Sequence, residues 1–236
     1  RTIVTVPELP WDEPVEYVYS DSTKADFEAG DLDGVVATDD GVELVSQNGF
    51  LTGNPLSGYE DVGISGEYEL LQGTLYRGET GVTGFASGKL TNGSWGTMVT
   101  DTNISNTNMD YVIWLFDLKA NYSIHGIFFE WILHPDHPTS YGGQEVIAEY
   151  SEDGVSYTTL PAKDLSGITT GGNYLESWTG ISATARYVRI KVKNKPNRFM
   201  IINDIGILGS VYSPQGTLTK EIDISTEAEV ETTKIE

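Results

Sequence analysis

The sequence contains no cysteine. That excludes disulfides, zinc–thiolate sites and a cysteine nucleophile, and argues against a small disulfide-stapled animal secreted domain. Basic residues are scarce: 14 Lys and Arg stand against 35 Asp and Glu, for a net charge of −21. Such a surface repels phosphate backbones and anionic lipid, so no nucleic-acid partner is expected. No apolar run approaches the ~20 residues of a membrane span, so no membrane insertion is expected. There are three histidines and no Gly-x-Ser-x-Gly or Ser-His-Asp arrangement. The acids fall mostly in turns and linkers. They do not read as the paired carboxylates of a glycosidase, so a non-catalytic chain is expected.

What is present favours strands. There are 26 Gly and 13 Tyr, which suit turns and β-strands, and 39% hydrophobic residues, enough for a core. The acidic excess is uneven, with 14 acidic and 2 basic residues in 1–63. Calcium is the partner that an acidic surface favours. Thr2 to Val6 alternates like an edge strand, and Pro7, Pro10 and Pro14 then make an extended linker. Asp33-Gly34 and Asp40-Gly41 are hairpin-type turn signals between short strands. The stretch 46–75, rich in Gly, Asn and Ser, reads as a linker that runs into the next domain near Glu67 to Leu71.

The middle of the chain carries the long strands. Tyr111 to Leu118 and Ile124 to Ile132 are apolar runs of the kind found at the centre of a sandwich. His125 lies inside the second and reads as structural. Tyr150 to Leu160 reads as a hairpin with Glu152-Asp-Gly154 at its turn. Ala185 to Lys193 alternates, with Tyr187, Arg189, Lys191 and Lys193 on one face and Val188, Ile190 and Val192 on the other. The most site-like loop is 133–143, where His134, Asp136, His137 and Tyr141 sit among prolines and glycines. Two imidazoles and a carboxylate raise the thought of zinc, but a proline-broken loop lacks helical spacing and a third His. Residues 163–180 form a second loop with Asn173, Tyr174 and Trp178, and Lys195 to Phe199 a third with Arg198 and Phe199.

Five signatures in order give this chain a family resemblance. They are Asn92-Gly93 with Trp95, Phe116-Asp117-Leu118, Ser151-Glu-Asp-Gly154 with Tyr157, Ala185-Arg-Tyr-Val-Arg-Ile190, and Ile205 to Gly209. Together they resemble the discoidin family, also called the coagulation factor 5/8 C-terminal type, which in bacteria includes many carbohydrate-binding modules. Asn92 stands where the family usually has Asp, and Asp204 where it often has Glu. The resemblance implies an all-β, jelly-roll β-sandwich of galactose-binding-like type, flanked by partial β-segments. It also implies a structural calcium ion, carried over to Asn92, Thr97 and Asp204 with carbonyls near Lys89 and Trp95. Loops at one end of the sandwich would supply a sugar site, with His134, His137, Tyr141, Asn173, Tyr174, Trp178, Arg198 and Phe199 as its residues. An aromatic ring covers the apolar face of a pyranose while fixed polar groups bind its hydroxyls.

The expected organisation is an acidic β-rich segment with a linker at 1–63, the sandwich at 64–210, and a linker with the start of a further β-module at 211–236. The expected function is a glycan-binding adhesion module, extracellular, at a cell surface or on a virion such as a phage tail, with neighbouring domains of a longer chain as partners. The competing reading is a structural connector or decoration domain with no glycan ligand. Tyr141, Trp178 and Phe199 separate the two: convergence on one exposed cleft favours sugar binding, and burial favours the connector.

Overall fold

In the computed structural model the chain divides into two compact units, one of residues 1–46 with 212–236, the other of residues 47–211. The structure describes the strands of the first unit and, across the second and at its two edges, residues 46–52, 60–62, 64–76, 82–85, 90–91 and 102–212.

In the first unit, β1 (Thr2–Thr5) pairs antiparallel with β2 (Glu16–Tyr19). The expected edge strand at 2–6 therefore forms a two-stranded ribbon. β3 (Asp31–Asp33) is followed by β4 (Val35–Thr38) and β5 (Gly41–Leu44), which form a hairpin with Thr38 opposite Gly41. The Asp40-Gly41 signal falls between the paired strands β4 and β5, whereas β3 does not pair with β4 among the described residues, so Asp33-Gly34 closes no hairpin between those two; Gly34 and Asp40 lie outside the described residues.

The second unit comprises β6 (Ser46–Phe50), β7 (Glu60–Asp61), β8 (Glu67–Gln72), β9 (Val82–Gly84), β10 (Thr102–Ile104), β11 (Val112–Leu133), β12 (Gly143–Ser151), β13 (Thr158–Thr159), β14 (Lys163–Asp164), β15 (Gly172–Asn194) and β16 (Met200–Tyr212). β17 (Thr217–Thr219) belongs to the first unit, pairing with β3. Of residues 211–236, read as opening a further module, 212–236 share a unit with residues 1–46.

Two strands, β11 and β15, organise the sandwich. Their early and late parts pair in opposite order: Val112–Asp117 lies against Tyr187–Val192, and Gly126–Leu133 against Gly172–Thr179. Register shifts at Asp117/Tyr122 and Ile124/Gly126 break the ladder where both strands turn the corner. One half of the folded sheet therefore contains β9, β8, early β11, late β15 and β12. The other contains early β15, late β11, β16 and β10, with β6 and β7 beyond. Strands that switch sheets through bulges are a known way to build a sandwich corner.

The core follows from alternation. Val112, Trp114, Phe116 and Leu118 point inward from early β11, and Val188, Ile190 and Val192 from late β15. Ile127, Phe129, Trp131 and Leu133 complete the cluster from late β11. Late β11 is buried on both faces. Its outer face is covered by Phe50, whose ring meets Phe128 edge-on at 5.4 Å, while the Leu51 amide donates to the Ile207 carbonyl. Phe50, Leu51 and Thr52 are buried, so the early part of the composition-read linker belongs to the sandwich, and the unit begins at Gln47 rather than at 64. Full burial of Phe50 contributes about 1.5–3 kcal/mol, which offsets the roughly 1–2 kcal/mol needed to order that residue's backbone.

Candidate functional site

Three loops meet at the end of the sandwich opposite Asn48 and Ser210. They are 134–142 after β11, 165–171 before β15 and 195–199 before β16. The Phe199 amide donates to the Ser140 carbonyl and the Gly142 amide to the Phe199 carbonyl, at 2.9 and 2.8 Å. The Lys195 amide donates to the Gly142 carbonyl at 2.9 Å. Gly142 eases this approach: a Cβ there would lie 3.1 Å from Lys195 Cδ and 3.3 Å from Arg198 Cδ, and those side chains would have to shift by a few tenths of an ångström. Pro196 and Asn197, the latter at φ 59°, make a tight turn whose Arg198 amide returns to the Lys195 carbonyl. The third loop leans in through Gly171, which packs against Pro135.

The loops carry a continuous run of rings. His137 lies 4.8 Å from His134, and His134 lies 5.2 Å from Tyr141. Tyr141 lies 5.5 Å from Phe199, and Phe199 lies 5.1 Å from Tyr76. The Asp136 amide donates to His134 Nδ1 at 3.2 Å, which places the neutral ring's proton on Nε2. Arg198 Nη1 donates to the Pro138 and Tyr141 carbonyls at 3.3 and 3.4 Å. Its Nε and Nη2 have no partner among the described residues. The tip thus presents ring faces, an imidazole donor and part of a guanidinium, which is chemistry suited to a hydroxylated ring ligand.

Not every expected residue joins this cluster. His134, His137, Tyr141, Arg198 and Phe199 do, and Asn173 is exposed at the start of β15 beside it. Tyr174 is at the same end but is committed to structure: its ring stacks on Trp131 at 5.1 Å and its hydroxyl donates to the Thr170 carbonyl at 2.5 Å. Trp178 lies elsewhere. It pairs with Ile127 well along the strand, is 5% exposed, and its indole N–H donates to the Pro161 carbonyl at 2.7 Å. Tyr76, 40% exposed, is the tip residue that sequence reasoning missed. The only local signal was an aromatic beside the strand-forming Leu75.

The metal expectations divide as well. Among the described residues no three His, Cys, Asp or Glu side chains gather as a metal site. Asn92 and Thr97 lie outside the described residues. Asp204 is fully buried opposite Glu130, and its Oδ1 accepts the Ile205 amide at 2.8 Å. The Leu90 carbonyl accepts the same amide at 2.8 Å, so Leu90 lies beside Asp204. His125 is structural, with Nε2 2.6 Å from the Ser210 hydroxyl.

The described strands of residues 47–211 make an all-β sandwich. Several solved structures are similar to it. The "CBM32 of AlyQ in complex with 4,5-unsaturated mannuronic acid" is 20% identical with a TM-score of 0.38, covering 60% of this chain and 96% of its own. CpGH89CBM32-6 from Clostridium perfringens is 15% identical with a TM-score of 0.41, covering 62% and 94%. A fucolectin from striped bass (Morone saxatilis) serum is 14% identical with a TM-score of 0.42, covering 66% and 49%. No protein-family model matches the chain, and no curated protein does.

Proposed function

We propose that residues 47–211 form a non-catalytic glycan-binding module whose site is the tip built from the loops 134–142 and 195–199. The observation that carries this reading is the row of five rings from His137 to Tyr76, with Arg198 and His134 supplying donors at its edge. One ring, Phe199 or Tyr141, would take the apolar face of a pyranose, and Arg198 and His134 Nε2 would donate to its hydroxyls. Tyr141→Ala and Phe199→Ala should each lower glycan affinity at least tenfold with the fold kept. Unchanged affinity in both would sink the site.

A buried carboxylate beside the Leu90 turn suits calcium, which takes carboxylate, amide and carbonyl oxygens. Asp204 would be its anchor in the described part of the chain, with Asn92 and Thr97 completing the set. The ion would fix the turn against β16 and take no part in sugar contact. The module would act outside the cell, on a bacterial surface or a virion such as a phage tail, joined to neighbouring domains.

The burial of Trp178 favours the second reading, a connector or decoration domain without a sugar ligand, because one of the three discriminating aromatics is structural. Tyr141 and Phe199 converge at the tip nonetheless, and that pair supports the glycan reading.

A further inference from the structure

A groove that includes Trp178 lies on the flank of the sandwich. Its volume is about 480 Å³, and it is lined by Tyr150, Leu160, Lys163, Trp178, Thr179 and Ser182 among others. It lies away from the tip. Trp178 is six residues along β15 from Gly172, which pairs with Leu133 at the tip, and six steps of about 3.3 Å make about 20 Å. The groove exists for a structural reason. β15 departs from its pairing with β11 between Thr179 and Ala183, and Gly180, at φ 72°, turns the bulge outward. This early part of β15 pairs with β11 on one side only, so its other side faces the 160–163 segment across the groove.

The lining has an unusual charge for this protein. In a chain with 35 acidic residues no Asp or Glu lines the groove, while Lys163 does. Among the described residues the Lys163 ammonium has no carboxylate within ion-pair distance, and it lies 5.7 Å from the centre of the Trp178 ring. Of the cations along β15, Arg186 pairs with Asp117, Arg189 and Lys191 pair with Glu149, and Lys193 lies over the Tyr111 ring. Ser177, Thr179 and Ser182 belong to the same wall, and Leu160 and Ile181 give it apolar surface.

We propose that this groove is a second saccharide subsite, selective for a carboxylated sugar. The Lys163 ammonium takes the carboxylate, the Ser177, Thr179 and Ser182 hydroxyls take ring hydroxyls, and Leu160 and Ile181 pack on the apolar face. The saccharide class follows from the tip reading, but the subsite is spatially separate and is tested separately. An acidic polysaccharide chain could then be held at two points about 20 Å apart, which raises avidity without any new contact.

The test is a two-dimensional amide NMR titration of the full chain with a galacturonate oligosaccharide, and with its neutral galactose counterpart. It is run on the wild type, on Lys163→Ala, on Lys163→Arg and on Phe199→Ala. The expected result is dose-dependent shifts at Ser177–Ser182 and 160–163 with the acidic sugar, retained in Phe199→Ala. Lys163→Ala should weaken them about fivefold or more and Lys163→Arg should keep most of the affinity, as an ion pair of modest strength requires. Shifts confined to 134–142 and 195–199 would overturn the subsite while leaving the tip reading intact. Equal response to the neutral sugar, or an unaltered titration in Lys163→Ala, would overturn it too. Loss of the tip shifts alone in Phe199→Ala would confirm that the two regions act separately.

Discussion

The indole N–H of Trp178 donates to the carbonyl of Pro161 at 2.7 Å, holding a tryptophan expected at the tip against the flank of the sandwich. Its ring belongs to the hydrophobic core rather than to a ligand surface. Trp178→Ala should therefore destabilise the fold by about 3–5 kcal/mol, the usual cost of deleting a buried aromatic. Trp178→Phe keeps much of the volume and loses the hydrogen bond, so it should cost less. Urea unfolding of both variants tests this. A Trp178→Ala protein as stable as the wild type would return Trp178 to the role of an exposed platform.

Glu149 is 5% exposed and sits in a cage of cations. Arg189 Nη2 lies 2.7 Å from its Oε2, Lys191 Nζ lies 3.5 Å from Oε1, and the Thr159 hydroxyl donates to Oε1 at 3.0 Å. Arg189 also lies over Tyr157 at 3.4 Å. Arg189→Met leaves the carboxylate short of its closest partner and should cost about 3 kcal/mol. Replacing Glu149 with Leu as well should recover part of that loss, because the buried charge is then gone. A double variant less stable than Arg189→Met would count against this account of the pair.

The corner after early β11 is pH-sensitive. Arg186 holds the Asp117 carboxyl down at about 2, against an ordinary 3.8, with the Lys119 amide and ammonium adding to the effect. Asp153 is likewise lowered to about 2, chiefly by the amides of Ser156 and Val155 in the β12–β13 turn. Both pKa values are depressed in the folded state. Their contribution is therefore present above about pH 4 and is lost as pH falls toward 2. Asp117→Asn should be less stable than the wild type at pH 6, and the gap should close by about pH 2. Urea midpoints across that range measure it, and a gap that stays constant with pH would refute the assignment.

Calcium should raise the melting temperature of the wild type. At a hundredfold excess over its dissociation constant the gain is about 2.7 kcal/mol, or several degrees for a domain of this size. Asp204→Ala should lower the melting temperature in calcium and abolish its dependence on chelator. Identical melting curves in calcium and in chelator for the wild type would remove the ion from the account.

Strand content and facing were legible in the sequence where the pattern is local. The alternation of Ala185 to Lys193 appears as buried Val188, Ile190 and Val192 against partly exposed Arg189, Lys191 and Lys193. The Glu152-Asp-Gly154 turn is built as read, with Gly154 at φ 74° and Asp153 Oδ1 accepting two amides. What was not legible depends on distant partners. Trp178 faces inward because a bulge at 180–182 and the 160–163 segment enclose it, and neither leaves a mark at position 178. Tyr76 reaches the tip through Phe199, far along the chain. Phe50-Leu51 is the one adjacent apolar pair between 46 and 66, and composition outweighed it in the linker reading.

The central claim is that the ring row at the tip binds sugar. The most direct measurement is a glycan array of the full chain in millimolar calcium, run beside the Tyr141→Ala/Phe199→Ala double variant. The account predicts reproducible binding to a defined set of glycans that the folded double variant loses. A clean negative from the folded wild type, or equal binding by the double variant, would contradict it and favour the connector reading.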